Sequence, residues 1–208
     1  MRVITGVAKG RHLKVPKPST TRPMTDLVKG ALFSMLAPLG IDGRRVLDLY
    51  AGSGSIGIEA LSRGAAFADF VEQNAGVCAI IADNLAHTRL DRQGRVHRAK
   101  VSAYLARLAA APPPPDERYD LVIMDPPYAA PDIVATLDAV VNSPALAPGA
   151  VIVVGHSVRV DLPEAVGPAR RLHRRCHGDS CFSIYTMPSA GATAGAGEPS
   201  PAREGAQG

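Results

Sequence analysis

Apolar residues recur along this chain in two alternating rhythms. Short, nearly continuous runs at Arg45 to Tyr50, Phe67 to Glu72, Val96 to Ala99, Tyr119 to Met124 and Ala150 to Val154 have the length and β-branched content of strands buried on both faces. Helical spacing fills the intervals. Leu27, Val28, Ala31, Leu32, Met35 and Leu36 follow the i, i+3, i+4 rule from a Thr25 cap to a stop at Pro38. A glycine-rich turn after Tyr50 leads into a helix through Leu61, and Asn74 is placed to cap a helix carrying Val77, Ile80, Ile81 and Leu85. Ser102 to Ala110 and Asp132 to Val141 complete the helical set. Strands alternating with helices predict a mostly parallel sheet covered on both faces. Val3 to Thr5 and Arg11 to Val15, flanking Gly6 and Lys9-Gly10, predict a small N-terminal β-hairpin. Arg171 to His177 and Cys181 to Met187, joined by His177-Gly178-Asp179-Ser180, predict an antiparallel hairpin closing the sheet edge. The fold class is α/β, with an antiparallel C-terminal edge strand.

Composition sets the bounds. With 208 residues, 46% hydrophobic and 20% charged, the chain has the make-up of an ordinary globular protein and is neither wholly disordered nor fibrous. Three segments are expected: a basic hairpin extension over 1–24, the main domain over 25–187, and a disordered Gly/Ala/Pro-rich tail over 188–208. No apolar run reaches the ~18 residues of a membrane span, and the basic start is not followed by an apolar leader region, so a cytoplasmic monomer is expected. Cys78, Cys176 and Cys181 are odd in number, which argues for reduced thiols. His173, Cys176, His177 and Cys181 hold the atoms of a zinc site, but neighbours in a strand face opposite sides and no paired C-x-x-C element is present. No metal is expected.

The net charge of +4 is concentrated. Arg2, Lys9, Arg11, Lys14, Lys17 and Arg22 precede any acidic residue, and Arg170, Arg171, Arg174 and Arg175 form a second one-signed run. Two such stretches favour a polyanionic partner.

The segment Asp48-Leu-Tyr-Ala-Gly-Ser-Gly54, followed by Gly57, lies between the first core strand and its helix, where open parallel sheets place a ligand. Gly52 and Gly54 permit a tight turn and close approach of backbone to ligand. Glu72, twenty residues after Gly52 and at the end of the next strand, is suited to accept the hydroxyls of a ribose. A pyrophosphate at this turn needs amides without a nearby negative charge. Asp48 instead suits a cationic ligand such as the ammonium of S-adenosylmethionine, although it could also simply cap the turn. The candidate cofactor contacts are Asp48, Ala51, Gly52, Ser53, Gly54, Glu72, Gln73 and Asp125, with Val101 and Ser102 beside the adenine.

A strand running into Asp125-Pro126-Pro127-Tyr128 is the most specific feature of the chain. An exocyclic amine of a nucleobase is a poor nucleophile and needs acceptors that hold its N–H groups and aim its lone pair. Asp125 can accept one hydrogen and the Pro126 carbonyl the other, with the prolines fixing backbone direction. Tyr128 offers a stacking face for a base swung out of its helix. Guanine, adenine and cytosine amines would all satisfy such a loop.

Together, Asp48-Leu-Tyr-Ala-Gly-Ser-Gly and Asp125-Pro-Pro-Tyr resemble the amino-methylating S-adenosylmethionine-dependent methyltransferases. The flanks Arg2-Val-Ile-Thr-Gly, Lys9-Gly-Arg-His-Leu, Arg22-Pro-Met-Thr-Asp, Ala31-Leu-Phe-Ser-Met-Leu and Gly57-Ile-Glu-Ala-Leu-Ser-Arg-Gly-Ala are similar to the RsmD-type family over about residues 2 to 187. That resemblance implies a Rossmann-like class I methyltransferase fold. It also implies methylation of a guanine N2 in bacterial 16S rRNA, free or in the assembling small subunit, with the basic N-terminal hairpin gripping RNA. Two departures stand out: Met24 lies within the Arg22 to Asp26 motif, and Gly155-His156 stands where relatives tend to carry a carboxylate. The rival readings are a nicotinamide-dependent oxidoreductase, which leaves Asp48 and Asp125 to Tyr128 without a task, and a non-catalytic RNA-binding protein, which leaves the cofactor turn unexplained.

Overall fold

A computed structural model describes residues 1–16, 26–127 and 132–190. Thr25, Lys17, Arg22, Tyr128 and most of the C-terminal tail, 191–208, lie outside the described residues. The helices are α1 (Asp26–Leu36), α2 (Ser55–Ser62), α3 (Ala75–Thr88), α4 (Val101–Ala110) and α5 (Ile133–Val141). The strands are β1 (Arg45–Leu49), β2 (Phe67–Glu72), β3 (Gly94–Arg98), β4 (Tyr119–Met124), β5 (Leu146–Ser157), β6 (Ala165–Val166), β7 (Ala169–His177) and β8 (Ser180–Thr186). They form one sheet in the order β3-β2-β1-β4-β5-β8-β7-β6. The first five strands are parallel, as the alternation of strand and helix required.

From β1 the chain moves outward to β2 and β3, then returns to β4 and β5 on the other side. The reversal of strand order therefore falls between β1 and β4, and a crevice opens beyond their carboxyl ends. Alternate side chains of each strand enter two separate cores. Val46, Phe70, Leu121, Ile123 and Val153 lie in one with α1, α2 and α3, while Leu47, Val71, Val122, Ile152 and Tyr185 lie in the other with α4 and α5. Burial on both faces explains why the strands read as unbroken apolar runs.

Several boundaries differ from the sequence expectation by a few residues, those of β3 and β5 most clearly. β3 starts at Gly94, before the Val96 to Ala99 run. Glycine is needed there because a β-carbon would meet Leu85 Cδ2 at 2.8 Å. β5 extends backward to Leu146 through an irregularity opposite Tyr119 and Leu121. The antiparallel C-terminal hairpin forms at the sheet edge as expected, with β8 paired to β5, β7 outside it and a short β6 outermost. Phe182, Ile184 and Tyr185 are almost fully buried, and only an interior strand can cover both of their faces. The hairpin register sets Cys176 opposite Cys181 with a Cα separation of 4.0 Å, and the two form a disulfide. This corrects the expectation of reduced thiols: Cys78 is the free cysteine that makes the count odd.

The N-terminal segment folds back through an Arg2–His12 bridge, with Val3, Ala8 and Leu13 buried in the first core. Its anchor is Glu59 of α2, a fully buried carboxylate that accepts the Ile4 and Thr5 amides at 2.8 and 3.0 Å. Lys29 and Arg63 bring their charges to the same carboxylate at 3.3 and 2.9 Å. Gly6 passes so close to α2 that a β-carbon there would lie 1.6 Å from the Ser62 carbonyl oxygen. The Arg2-to-Gly6 and Gly57-to-Ala65 motifs are thus the two halves of one clasp. No helix among the described residues is long and apolar enough to cross a membrane.

Candidate active site

At the end of β1 the backbone turns through Tyr50, Gly52 and Gly54, with φ of 58°, 54° and 74°. The left-handed conformation is easy for glycine and costly for tyrosine, so Tyr50 is held there by its surroundings. Its hydroxyl stands 3.5 Å from Thr136 Oγ1 of α5. The loop is fastened from three sides. Ala51 donates its amide to the Val71 carbonyl, Gly52 donates to Glu72 Oε2 at 3.3 Å, and Asn84 Nδ2 donates to the Ser53 carbonyl at 2.9 Å.

Asn84 was not singled out as a site residue by sequence reasoning. It is buried on α3 and also exchanges hydrogen bonds with the backbone of Lys14, linking the N-terminal segment to the glycine loop. Its signal was present: it occupies a core-facing position between Ile81 and Leu85 where an apolar residue is the norm.

Asp48, 1% exposed, accepts the Gly57 amide of α2 at 3.0 Å through Oδ2. The capping alternative raised for Asp48 is therefore realised, and one amide at the start of α2 is already occupied. Burial pushes the Asp48 carboxyl up to about 8, reinforced by the charges of Asp125 and Glu72 and opposed by the Gly57 amide. Asp125 follows the end of β4, and burial pushes it up to about 6. Register brings the two together: Leu49 pairs with Met124 on one side and with Val71 on the other, so Asp125 and Glu72 flank the exit of β1.

Glu72 is half-buried and also accepts the Asn74 amide at 2.8 Å, while Gln73 beside it is exposed. Asn74 Oδ1 caps α3 by accepting the Gly76 and Val77 amides. Val101 is buried at the first position of α4, directly after β3, with Ser102 exposed next to it. Pro126 is buried and Pro127 exposed. The structure thus gathers Asp48, Ala51 to Gly54, Glu72 and Asp125 at the carboxyl ends of β1, β2 and β4, with Val101 and Ser102 beyond β3. Tyr128 lies outside the described residues.

Behind the Asp125-Pro126-Pro127 loop stands Gly155 of β5. A β-carbon on it would lie 2.2 Å from Asp125 Oδ1 and 3.3 Å from Phe182 Cε1. The next residue, His156, is buried with Nε2 3.0 Å from Ser183 Oγ and Nδ1 2.9 Å from the Ser157 carbonyl; burial holds its pKa below the usual imidazole value.

The residues expected to grip RNA are distributed differently. Arg2 pairs with Asp26 at 3.3 Å, Lys14 with Asp83 at 2.7 Å, and Arg11 donates to the His87 carbonyl. Lys9 is exposed. Lys17 and Arg22 lie outside the described residues. No group of three or more His, Cys, Asp or Glu side chains among the described residues is arranged to hold a metal ion.

Two requirements narrow the ligand. Three carboxylates converge on a crevice with no Lys or Arg paired to any of them among the described residues, which selects for a cation and against an anion. At the helix terminus that would hold a pyrophosphate, the Gly57 amide is already taken by Asp48. The sulfonium and ammonium of S-adenosylmethionine fit this donor set; a dinucleotide does not.

Comparisons with known proteins agree with the geometry. The chain is 36% identical over 185 residues to YlbH of Bacillus subtilis, covering 89% of this chain and 98% of that protein. It is 33% identical over 193 residues to the ribosomal RNA small subunit methyltransferase D of Escherichia coli strain K12, covering 92% of each. The solved structure of yhhF from Escherichia coli superposes with a TM-score of 0.78 at 30% identity, covering 91% of this chain and 99% of that one. The class I methyltransferase fold and the RsmD-type relationship expected from the motifs are both borne out. The family model described as Conserved hypothetical protein 95 matches residues 1–186, and the chain belongs to that family.

Proposed function

We propose that this protein transfers a methyl group from S-adenosylmethionine to the exocyclic N2 amine of a guanine in small-subunit (16S) rRNA. The observation that carries the reading is the convergence of Asp48, Glu72 and Asp125 at the switch point, a carboxyl-lined crevice suited to a cationic methyl donor. Bound there, S-adenosylmethionine supplies an electrophilic methyl carbon. Glu72 would hold the ribose hydroxyls and Asp48 the ammonium end, and the backbone of Ala51 to Gly54 would allow close approach. Val101 and Ser102 border the adenine.

On the substrate side, the ionised Asp125 carboxylate accepts one N–H of the amine and the Pro126 carbonyl the other, aiming the nitrogen lone pair at the methyl carbon. Tyr128 stacks on the flipped base. Asp125 acts as acceptor and orienter rather than as a strong base, consistent with a pKa of about 6. Small-subunit rRNA as substrate is supported by the name of the Escherichia coli relative, and guanine N2 by the likeness of the loop motifs to RsmD-type enzymes. The protein works as a cytoplasmic monomer.

The test is transfer of tritiated methyl from S-adenosylmethionine to small-subunit rRNA lacking its native methylations, naked and protein-bound, followed by nucleoside digestion and mass spectrometry. N2-methylguanosine at one site is the expected product. Methylated adenine or cytosine would overturn the base assignment, and absence of transfer to either form would overturn the substrate.

A further inference from the structure

We propose that the β7–β8 hairpin is the phosphate-binding platform for the RNA strand beside the target base, with Arg175 its central contact. The proposal rests on the RNA-methylation reading above and names the surface that presents the substrate.

The strand register carries the argument. Gly155 pairs with Phe182, and Phe182 pairs with Arg175 on its other side. Residues directly opposite one another across strands project to the same face. Phe182 and Ile184 face the first core, and the missing β-carbon of Gly155 points at Asp125 on that same face. His173, opposite Ile184, also projects there, as does His177, two residues beyond Arg175. Two inter-strand spacings place Arg175 about 10 Å from Gly155 and its catalytic neighbour. All three β7 side chains are exposed.

The remaining arginines of the hairpin are tied down. Arg171 donates to the Leu162 carbonyl and pairs with Glu164. Arg170 donates to the Gly167 and Ala169 carbonyls, and Arg174 to the Val158 carbonyl. Arg175 has no polar partner among the described residues. From Ala169 to Thr186 the hairpin carries four arginines and one carboxylate, Asp179 in its turn, so its field is positive. A free guanidinium in a positive field, level with the catalytic carboxylate and on its face, matches the fork geometry that recognises a phosphodiester. By contrast, Arg2, Arg11 and Lys14 of the N-terminal hairpin each have one donor engaged on the protein itself.

The experiment is binding of unmodified small-subunit rRNA, transcribed in vitro, to the full-length protein across a potassium chloride series. Arg175→Glu is expected to raise Kd at least about tenfold and to reduce the slope of log K against log salt by about 0.7 to 1. Arg175→Lys is expected to restore most of the affinity. S-adenosylmethionine affinity and melting temperature should match the parent, because Arg175 touches neither core nor cofactor loop. Unchanged affinity and slope in Arg175→Glu would overturn the proposal, as would a larger loss from Lys9→Glu, which would place the platform on the N-terminal hairpin. Since binding is read apart from turnover, a parent protein that fails to methylate defeats the substrate assignment alone, while dependence of RNA affinity on Arg175 still identifies the surface.

Discussion

Gly155 lies directly against the Asp125 carboxylate, with room for a hydrogen and not for a methyl group between them: a β-carbon would stand 2.2 Å from Oδ1. Gly155→Ala must therefore displace Asp125 by an ångström or so, because Phe182 closes the other side at 3.3 Å. A shift of that size in an orienting group costs roughly 10²-fold in rate. Methyl transfer should fall by about that factor while the melting temperature changes by only a few degrees. Initial rates beside thermal unfolding check this, and a rate within twofold of the parent would remove the positioning role from Gly155.

In the proposed role Asp125 is a strong, charge-assisted acceptor only when ionised. With burial raising its carboxyl to about 6, methyl transfer at saturating S-adenosylmethionine should be level above that pH and drop about tenfold per unit below it. Asp125→Asn, which keeps the shape and loses the charge, should lower turnover by at least roughly 10²-fold and abolish the acid limb. The stability effect has the opposite sense. A carboxyl raised in the folded state retains a proton that the unfolded chain releases, so between its ordinary value of 3.8 and about 6 this residue makes the fold less stable as pH rises. Urea midpoints of the parent and Asp125→Asn across that window measure the difference.

Asp48 should make cofactor binding release a proton. Its carboxyl, raised to about 8, is largely neutral at pH 7, and an arriving ammonium group favours the ionised form. Affinity for S-adenosylmethionine is expected to rise with pH up to about 8 and to flatten above it. Calorimetry below that pH, in buffers of different ionisation heat, should show up to one proton released per molecule bound. Asp48→Asn, which can still accept the Gly57 amide, should bind more weakly without proton release. Identical heats in all buffers for the parent would reduce Asp48 to a helix cap.

Glu59 should be among the residues most important to stability. Its side chain is 0% exposed and satisfies two backbone amides, Lys29 and Arg63; Lys29 is equally buried and donates to the Arg2 carbonyl at 2.7 Å. Burial holds the Lys29 pKa below its usual value even beside this carboxylate. Glu59→Ala leaves the buried Lys29 without its counter-charge and two amides without an acceptor and should cost about 3 to 5 kcal/mol. Lys29→Met with Glu59→Leu should recover only the part due to the buried Lys29 charge, because the Ile4 and Thr5 amides still lack their acceptor. Denaturant unfolding of the single and double variants checks both statements.

Much of the site was legible because its determinants are local. The run Arg45 to Leu49 entering a glycine turn and the run Tyr119 to Met124 entering Asp-Pro-Pro each state their conformation within ten residues. Parallel strands buried on both faces leave an unambiguous apolar run. The Asn74 cap was equally readable, since it acts on amides two and three residues ahead.

What the chain order did not disclose was partnership between distant residues. Nothing within Arg2 to Gly6 says that its amides will end on Glu59, more than fifty residues away. Asn84 beneath Ser53, Gly155 against Asp125 and Cys176 opposite Cys181 depend likewise on which element packs on which. The insertion of β8 between β5 and β7 was decided at the same level, because a hairpin sequence specifies its turn but not which strand joins the sheet. Local spacing and turn chemistry placed the ligand loops at strand ends. Packing, which acts between segments remote in sequence, decided which basic side chains bond to the protein itself and which do not.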